Sequence, residues 1–181
     1  MNLNDLLLMR HELLMTLLIV IILIAEIFAK GTDRSKYLKS YIILFTAFTL
    51  LGFFPMGKGS LFGEMYYSNP SMAMLKNILN IGALVILLQS YPWLQSVQNR
   101  NKSSEFYLLI ISTLVGMDFM VSAGNFLMLY LGLELASIPV AILAAYEKKR
   151  NRSAEAGVKY IFMSALSSGI LLYGISMLYG T

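Results

Sequence analysis

The chain has 181 residues, of which 57% are hydrophobic and 13% charged, and its mean hydropathy of +0.68 is too apolar for a soluble domain of this length. Its formal charge of +4 comes from basic residues gathered in short tracts between long apolar runs, so an integral membrane protein is expected and a nucleic-acid-binding surface is not. Cysteine is absent, which excludes disulfides, iron–sulfur ligation and thiolate zinc sites within these residues.

A helix needs about 20 mostly apolar residues to cross the hydrocarbon core, with a range of about 17 to 25. Six segments meet that requirement. The first, residues 13–29, is interrupted only by Glu26 and is followed by Lys30, Arg34, Lys36 and Lys39 without a small-residue cleavage pattern. It reads as a transmembrane helix and not as a secretory leader. Glu26 is placed to meet Lys30 one turn on. The lone His11, ahead of this run, cannot form a metal cluster by itself and is expected at the interface or in water.

The second segment is 39–55, ended by Gly57 and Lys58. A polar, glycine-rich connection follows, GKGSLFGEMYYSNPS, whose Asn69-Pro70-Ser71 is a helix-start signal. The third segment, 71–94, is closed by Tyr91 and Trp93 as an aromatic interface anchor. After a polar loop the fourth runs over 105–122, and a turn at Ser122-Ala123-Gly124-Asn125 separates it from the fifth, 125–146. The sixth starts near Ser153, a candidate N-cap with Glu155 in the first turn, and is uncharged from Tyr160 to Thr181.

Counting Lys and Arg in the loops orients the chain. Lys30, Arg34, Lys36 and Lys39, then Arg100 and Lys102, then Lys148, Lys149, Arg150 and Arg152 fall in the odd-numbered loops. Those loops are expected on the cytoplasmic side and both termini on the other. The expected architecture is an all-α, multi-pass membrane protein of about six transmembrane helices. Residues 1–104 hold the first three helices and 105–181 the last three.

Glu134 carries the sharpest functional signal. It lies nine residues from Asn125 and twelve from Tyr146, or roughly 14 to 18 Å from each end of its helix, in an otherwise uncharged run. A charge at that depth costs roughly 2.5 to 3.5 kcal/mol on insertion scales, so an acid retained there is a functional candidate. Tyr130 and Ser137 share its face at helical spacing. Pro139 frees the carbonyl of Leu135 beside it, and Gly132 with Ala136 forms a small-xxx-small pair that admits a close neighbour.

Lys159, about one and a half turns into the sixth helix, lies about 8 Å from that helix's cytoplasmic end, shallow enough to reach the interface. A direct ion pair with Glu134 is therefore not expected, while a water-bridged relation is open. Asp118 and Lys76, near the ends of the fourth and third helices, are expected within reach of water, where each could serve as an entry or exit point for protons. Ser164, Ser168 and Gly169 read as close-packing positions.

The run LYLGLELASIPVAILAAY, followed by a short basic loop and SAEAGVKYIFMSALSSGILLYGISMLYGT, resembles the antiporter-like membrane subunits of respiratory complex I. Within these it is most similar to the subunit N branch of bacterial NADH-quinone oxidoreductase, and EFYLLIISTLVGMDFMVSAGN upstream fits as well. The resemblance is strong over residues 105–181. It implies a proton-translocating membrane subunit, with Glu134 as proton carrier and Lys159, in the EA-x-x-KY pattern, as proton relay. Tyr130 and Ser137 form the polar face beside the carrier.

The resemblance further implies that the sequence is an N-terminal portion holding half of the first inverted repeat, since family members are roughly twice as long. The lysine that partners the fifth-helix acid in the family lies on a seventh helix, beyond Thr181. No cofactor is expected in this chain; NADH, FMN, iron–sulfur clusters and quinone belong elsewhere in the complex. Other membrane subunits, the lipid bilayer and protons are the expected partners, in a bacterial inner membrane with a non-cytoplasmic N-terminus. Two alternatives remain: a subunit of a multisubunit sodium/proton antiporter or membrane-bound hydrogenase, and a non-conducting assembly scaffold. An intramembrane enzyme would need a nucleophile–base or metal constellation that the sequence lacks.

Overall fold

The computed structural model describes residues 7–28, 37–54, 57–96, 102–147 and 150–180. The expected Glu26–Lys30 pairing falls outside them, as do the loop residues Lys30, Arg34, Lys36, Arg100, Lys148 and Lys149. Among the described residues the chain forms α1 (Arg10–Phe28), α2 (Leu38–Gly52), β1 (Gly59–Leu61), β2 (Tyr66–Ser68), α3 (Pro70–Leu94), α4 (Ser103–Val121), α5 (Phe126–Ala144) and α6 (Asn151–Tyr179). Of these helices all but α2 are long and apolar enough to cross a membrane. The α2 helix, with 15 residues, spans about 22 Å at 1.5 Å per residue, short of a 30 Å hydrocarbon core.

Local chemistry accounts for the helix ends. Asn69 is extended and places Pro70 at the first position of α3, where a missing N–H costs nothing. Asn125 caps α5, its side chain accepting the backbone N–H of Met128 at 2.8 Å. Ser153 is not the cap of α6. That helix begins at Asn151, and the Ser153 hydroxyl instead donates to the carbonyl of Ala144 at 2.9 Å, binding α6 to the end of α5. Pro92 and Pro139 lie inside helices that continue past them.

Helix α4 occupies the centre, packed against α5 on one side and α1 and α3 on the other; α2 covers α1 and α3, and α6 lies on α5. Leu18, Ile22, Phe45, Leu87, Tyr107 and Ile111 fill the space between α1, α2, α3 and α4. In contrast, α6 leaves most of its apolar side chains uncovered, Phe162, Leu166 and Tyr173 among them.

The α4–α5 contact is made by backbones. A Cβ on Gly116 would stand 2.4 Å from the Ala136 nitrogen, and one on Gly132 would stand 2.8 Å from the Met120 nitrogen. Both lie inside the distance real Cβ atoms keep, so the Gly132/Ala136 pair does admit a neighbour, and Gly116 of α4 is that neighbour. Gly157 of α6 meets Ala145 in the same way, 2.4 Å from its Cβ. At Gly169 the expectation of close packing fails, because nothing lies within 4 Å of its Cβ position.

The glycine-rich connection, expected as a polar loop, folds as an antiparallel hairpin with Leu61 opposite Tyr66. Its turn holds Phe62, Gly63 and Glu64 at positive φ (55°, 62° and 69°), which costs a non-glycine residue about 1–2 kcal/mol. Anchoring offsets that cost. The Tyr67 N–H donates to the Ser122 carbonyl at 2.9 Å and the Gly124 N–H to the Met65 carbonyl at 2.8 Å, so the hairpin clasps the α4–α5 turn.

Replacing Gly116 by Leu is expected to lower thermal stability in detergent by about 1–3 kcal/mol or abolish accumulation in the membrane, because the added side chain overpacks the crossing. Gly82→Ala, at a site with nothing within 4 Å, is expected to be neutral or to stabilise by up to about 1 kcal/mol through helix propensity.

Candidate functional site

Glu134 lies on α5 facing a cleft of about 220 Å³ shared with α6, whose walls include Ser137, Ile138, Ile161 and Ser164. Its Oε1 is buried and has no hydrogen-bond partner among the described residues. Tyr130, one turn away, lies within electrostatic reach of the carboxyl. Ser137 is on the same face, but its hydroxyl donates to the backbone carbonyl of Glu134 at 3.3 Å and not to the carboxyl. The cleft therefore offers an acid in a mostly apolar wall, with small residues Ser164 and Ala165 opposite.

Lys159 is not brought into that cleft. Its ammonium pairs with Glu155 one turn earlier at 2.5 Å, and the two side chains are 72% and 61% exposed. Because Gly157 meets Ala145, Lys159 stands about level with Leu143, about 14 Å along the helix from Glu134. The two residues singled out for proton transfer thus belong to one helix pair at different heights, without contact.

A second group of ionisable side chains gathers at the hairpin end of the bundle, where the sequence pointed to Lys76 and Asp118 singly, within reach of water, and not to a cluster. Lys76 of α3 and Glu12 of α1 form an ion pair through Glu12 Oε1, and their side chains are 2% and 1% exposed. The Tyr66 hydroxyl donates its one proton to the same oxygen at 2.9 Å, with the Leu8 carbonyl 3.1 Å away, and accepts from Lys76 Nζ at 3.1 Å. Burial pushes the Tyr66 phenol above its ordinary value and the neighbouring Glu12 charge adds to this, so Tyr66 stays a donor. Asp118 of α4 lies within electrostatic reach of both Glu12 and Lys76.

Three expectations are corrected here. His11 is buried, its Nε2 3.1 Å from Asn77 Oδ1. Lys76 is not near water, and neither is Asp118, which is fully buried. In each case position near a helix end suggested solvent, but the hairpin and the C-terminal end of α2 cover that end. Gly52 permits this closure, since a Cβ there would stand 2.6 Å from Asn77 Oδ1 and 2.8 Å from His11 Nε2. Arg10 completes the seam by donating to the carbonyls of Gly52 at 3.3 Å and Phe54 at 2.6 Å, as cations do at helix C-termini.

Glu12 and Tyr66 were missed altogether. Starting the first helix at residue 13 left Glu12 outside, although an apolar run of 17 residues is short for a span and one more turn would have placed Glu12 within it. Tyr66 sat in a stretch with no helical period, and no local signal marks its hydroxyl as buried.

The chain matches a family model described as NADH:quinone oxidoreductase/Mrp antiporter, TM, over residues 123–181. NADH-quinone oxidoreductase subunit N from Phocaeicola vulgatus is 45% identical over 181 residues, covering 100% of this chain and 38% of the relative. Its counterpart from Azobacteroides pseudotrichonymphae is 39% identical over 184 residues, again covering 100% of this chain and 38% of the relative. A chain in the solved structure of respiratory complex I from Thermus thermophilus with bound aureothin superposes with a TM-score of 0.73 at 22% identity, over 94% of this chain and 36% of that one. The chain thus spans less than two-fifths of the relatives it matches.

Removing one partner of a buried pair leaves a charge without compensation, at a cost of about 3–5 kcal/mol. Lys76→Met is expected to destabilise by that amount in thermal unfolding, and the double variant Glu12→Gln/Lys76→Met to recover most of the loss. Equal stability of the single and double variants would show that the pair is not coupled.

Proposed function

Because the chain belongs to the NADH-quinone oxidoreductase subunit N family, we propose that it forms part of a proton-translocation channel in a proton-pumping NADH:quinone oxidoreductase. The observation that carries this reading is the Glu134 carboxyl, with a buried oxygen that has no partner among the described residues, in a cleft between two apolar helices. An acid that carries protons is loaded or emptied by the charges that approach it. Moving a cation toward it or away therefore releases or loads a proton.

Tyr130 offers a hydroxyl within reach of the carboxyl. The Ser137 hydroxyl, bonded to the backbone at that level, lines the path with Ser164. Lys159, exposed and paired with Glu155, acts as relay outside the cleft, handing protons toward Glu134 over a separation of about 14 Å along the helix pair. Quinone reduction, with NADH, FMN and iron–sulfur clusters, takes place in other subunits of the assembly, and this chain contributes no redox group. It works in a bacterial inner membrane among other membrane subunits. The shared family model also covers antiporter subunits, so sodium/proton exchange without redox partners is the second reading.

Glu134→Gln in the intact complex is expected to assemble normally and to reduce proton pumping to a small fraction of wild type, followed as pH-dye quenching in vesicles during NADH oxidation. Wild-type pumping would remove Glu134 from the path. Sodium-driven proton exchange in vesicles lacking redox subunits would favour the antiporter reading instead.

A further inference from the structure

The hairpin-end cluster has an unbalanced charge. Its ionisable core contains two carboxyls, Glu12 and Asp118, and one ammonium, Lys76, all 0–1% exposed. Each element packed around them contributes known groups. From α1, Arg10 is committed to the carbonyls at the end of α2, and His11 is engaged by Asn77 of α3. The hairpin supplies Tyr66, a protonated donor. Further along α3, Asn80 presents a fully buried amide whose oxygen and nitrogen both have no partner among the described residues.

The two acids are not equivalent. Glu12 Oε1 receives both Lys76 and Tyr66, an arrangement that suits a carboxylate. Neither oxygen of Asp118 has any donor among the described residues. With both acids ionised the cluster would carry an uncompensated negative charge out of water, which proteins avoid by neutralising a group. The proton falls to Asp118, the fully buried acid that has no donor among the described residues to compensate an ionised form.

We infer that Asp118 is a second proton-binding site of this protein, holding one proton beside the ionised Glu12–Lys76 pair. It sits on the face of α4 turned away from Glu134. At the α4–α5 crossing Gly132 lies between Gly116 and Met120, so Asp118 is level with Gly132 and about 3 Å in height from Glu134. The two sites therefore lie back to back across one helix contact. This goes beyond the channel reading and does not depend on it, because the charge balance is the same whether or not Glu134 conducts.

The test is infrared absorption of the protein in its native assembly in lipid, following the carbonyl stretch of protonated carboxylic acids and its downshift in D2O. Asp118→Asn is expected to assemble and to remove the signal of one protonated acid per chain. In Glu12→Gln, where one acid remains for one ammonium, Asp118 is expected to ionise and the same signal to disappear. In Lys76→Met, with no ammonium, Glu12 joins Asp118 and a second signal is expected. Loss of a carboxylate band in place of a carboxylic acid band in Asp118→Asn would overturn the inference. Failure of that variant to assemble would do the same, since Asn reproduces a neutral Asp but not an ionised one.

Discussion

Lys76 and Glu12, an ammonium and a carboxylate held together out of water, impose the tightest constraint on this bundle. Withdrawing each ion from solvent costs several kcal/mol, and only close contact with further hydrogen bonds offsets that. At an effective dielectric near 20, two unit charges 4 Å apart gain about 4 kcal/mol, so a displacement of α1 against α3 quickly makes the pair a liability. Tyr66 must arrive from a third element to complete the arrangement. The hairpin that carries it tolerates two non-glycine residues at positive φ and is pinned to the α4–α5 turn by backbone hydrogen bonds. One ion pair therefore ties α1, α3, the hairpin and the start of α5 into a single closed end.

The opposite end is fastened by aromatic chemistry. Trp93, Phe106 and Tyr146 meet with ring centroids 5.6 to 6.0 Å apart, and the Tyr146 hydroxyl donates to the Lys102 carbonyl. Burial pushes that phenol above its ordinary value, which keeps it a donor. Between the two ends lies the glycine crossing of α4 and α5, where dispersion over many close atom pairs replaces the hydrophobic drive that lipid does not supply. That crossing separates two acids that face opposite ways, Asp118 toward the closed cluster and Glu134 toward the cleft with α6. A rigid contact between two ionisable sites is a plain physical means for the charge on one to act on the other, because little solvent lies between to screen it.

Much of this was legible in residue order. Six apolar segments, the turn at 122–125, the Asn69-Pro70 start and the close neighbour of Gly132 and Ala136 all follow from local chemistry, and each has its counterpart in the fold. The depth of Glu134 was readable too, since helix length alone places a residue along its own axis. Lys76, His11 and Asp118 were misplaced for one reason. Position along an axis says nothing about what covers a helix end, and here a hairpin and a neighbouring helix terminus do so. Ser153 failed differently: its hydroxyl had two partners within reach, and the choice depended on where Ala144 came to rest.

By itself the sequence determined that this chain belongs in a bilayer, how its helices are divided, and that α5 carries an expensive acid, because hydropathy, turn chemistry and helical spacing are local properties. The tertiary structure alone decided which charges are buried together. Glu12 and Lys76 are 64 positions apart and Tyr66 comes from a hairpin without helical period, so nothing short of three-dimensional packing could reveal a buried ion pair with a second acid, Asp118, within electrostatic reach of it. The same packing decided that Lys159 faces outward and Glu134 inward, since both lie on apolar helices and only the way α6 lies on α5 separates their surroundings.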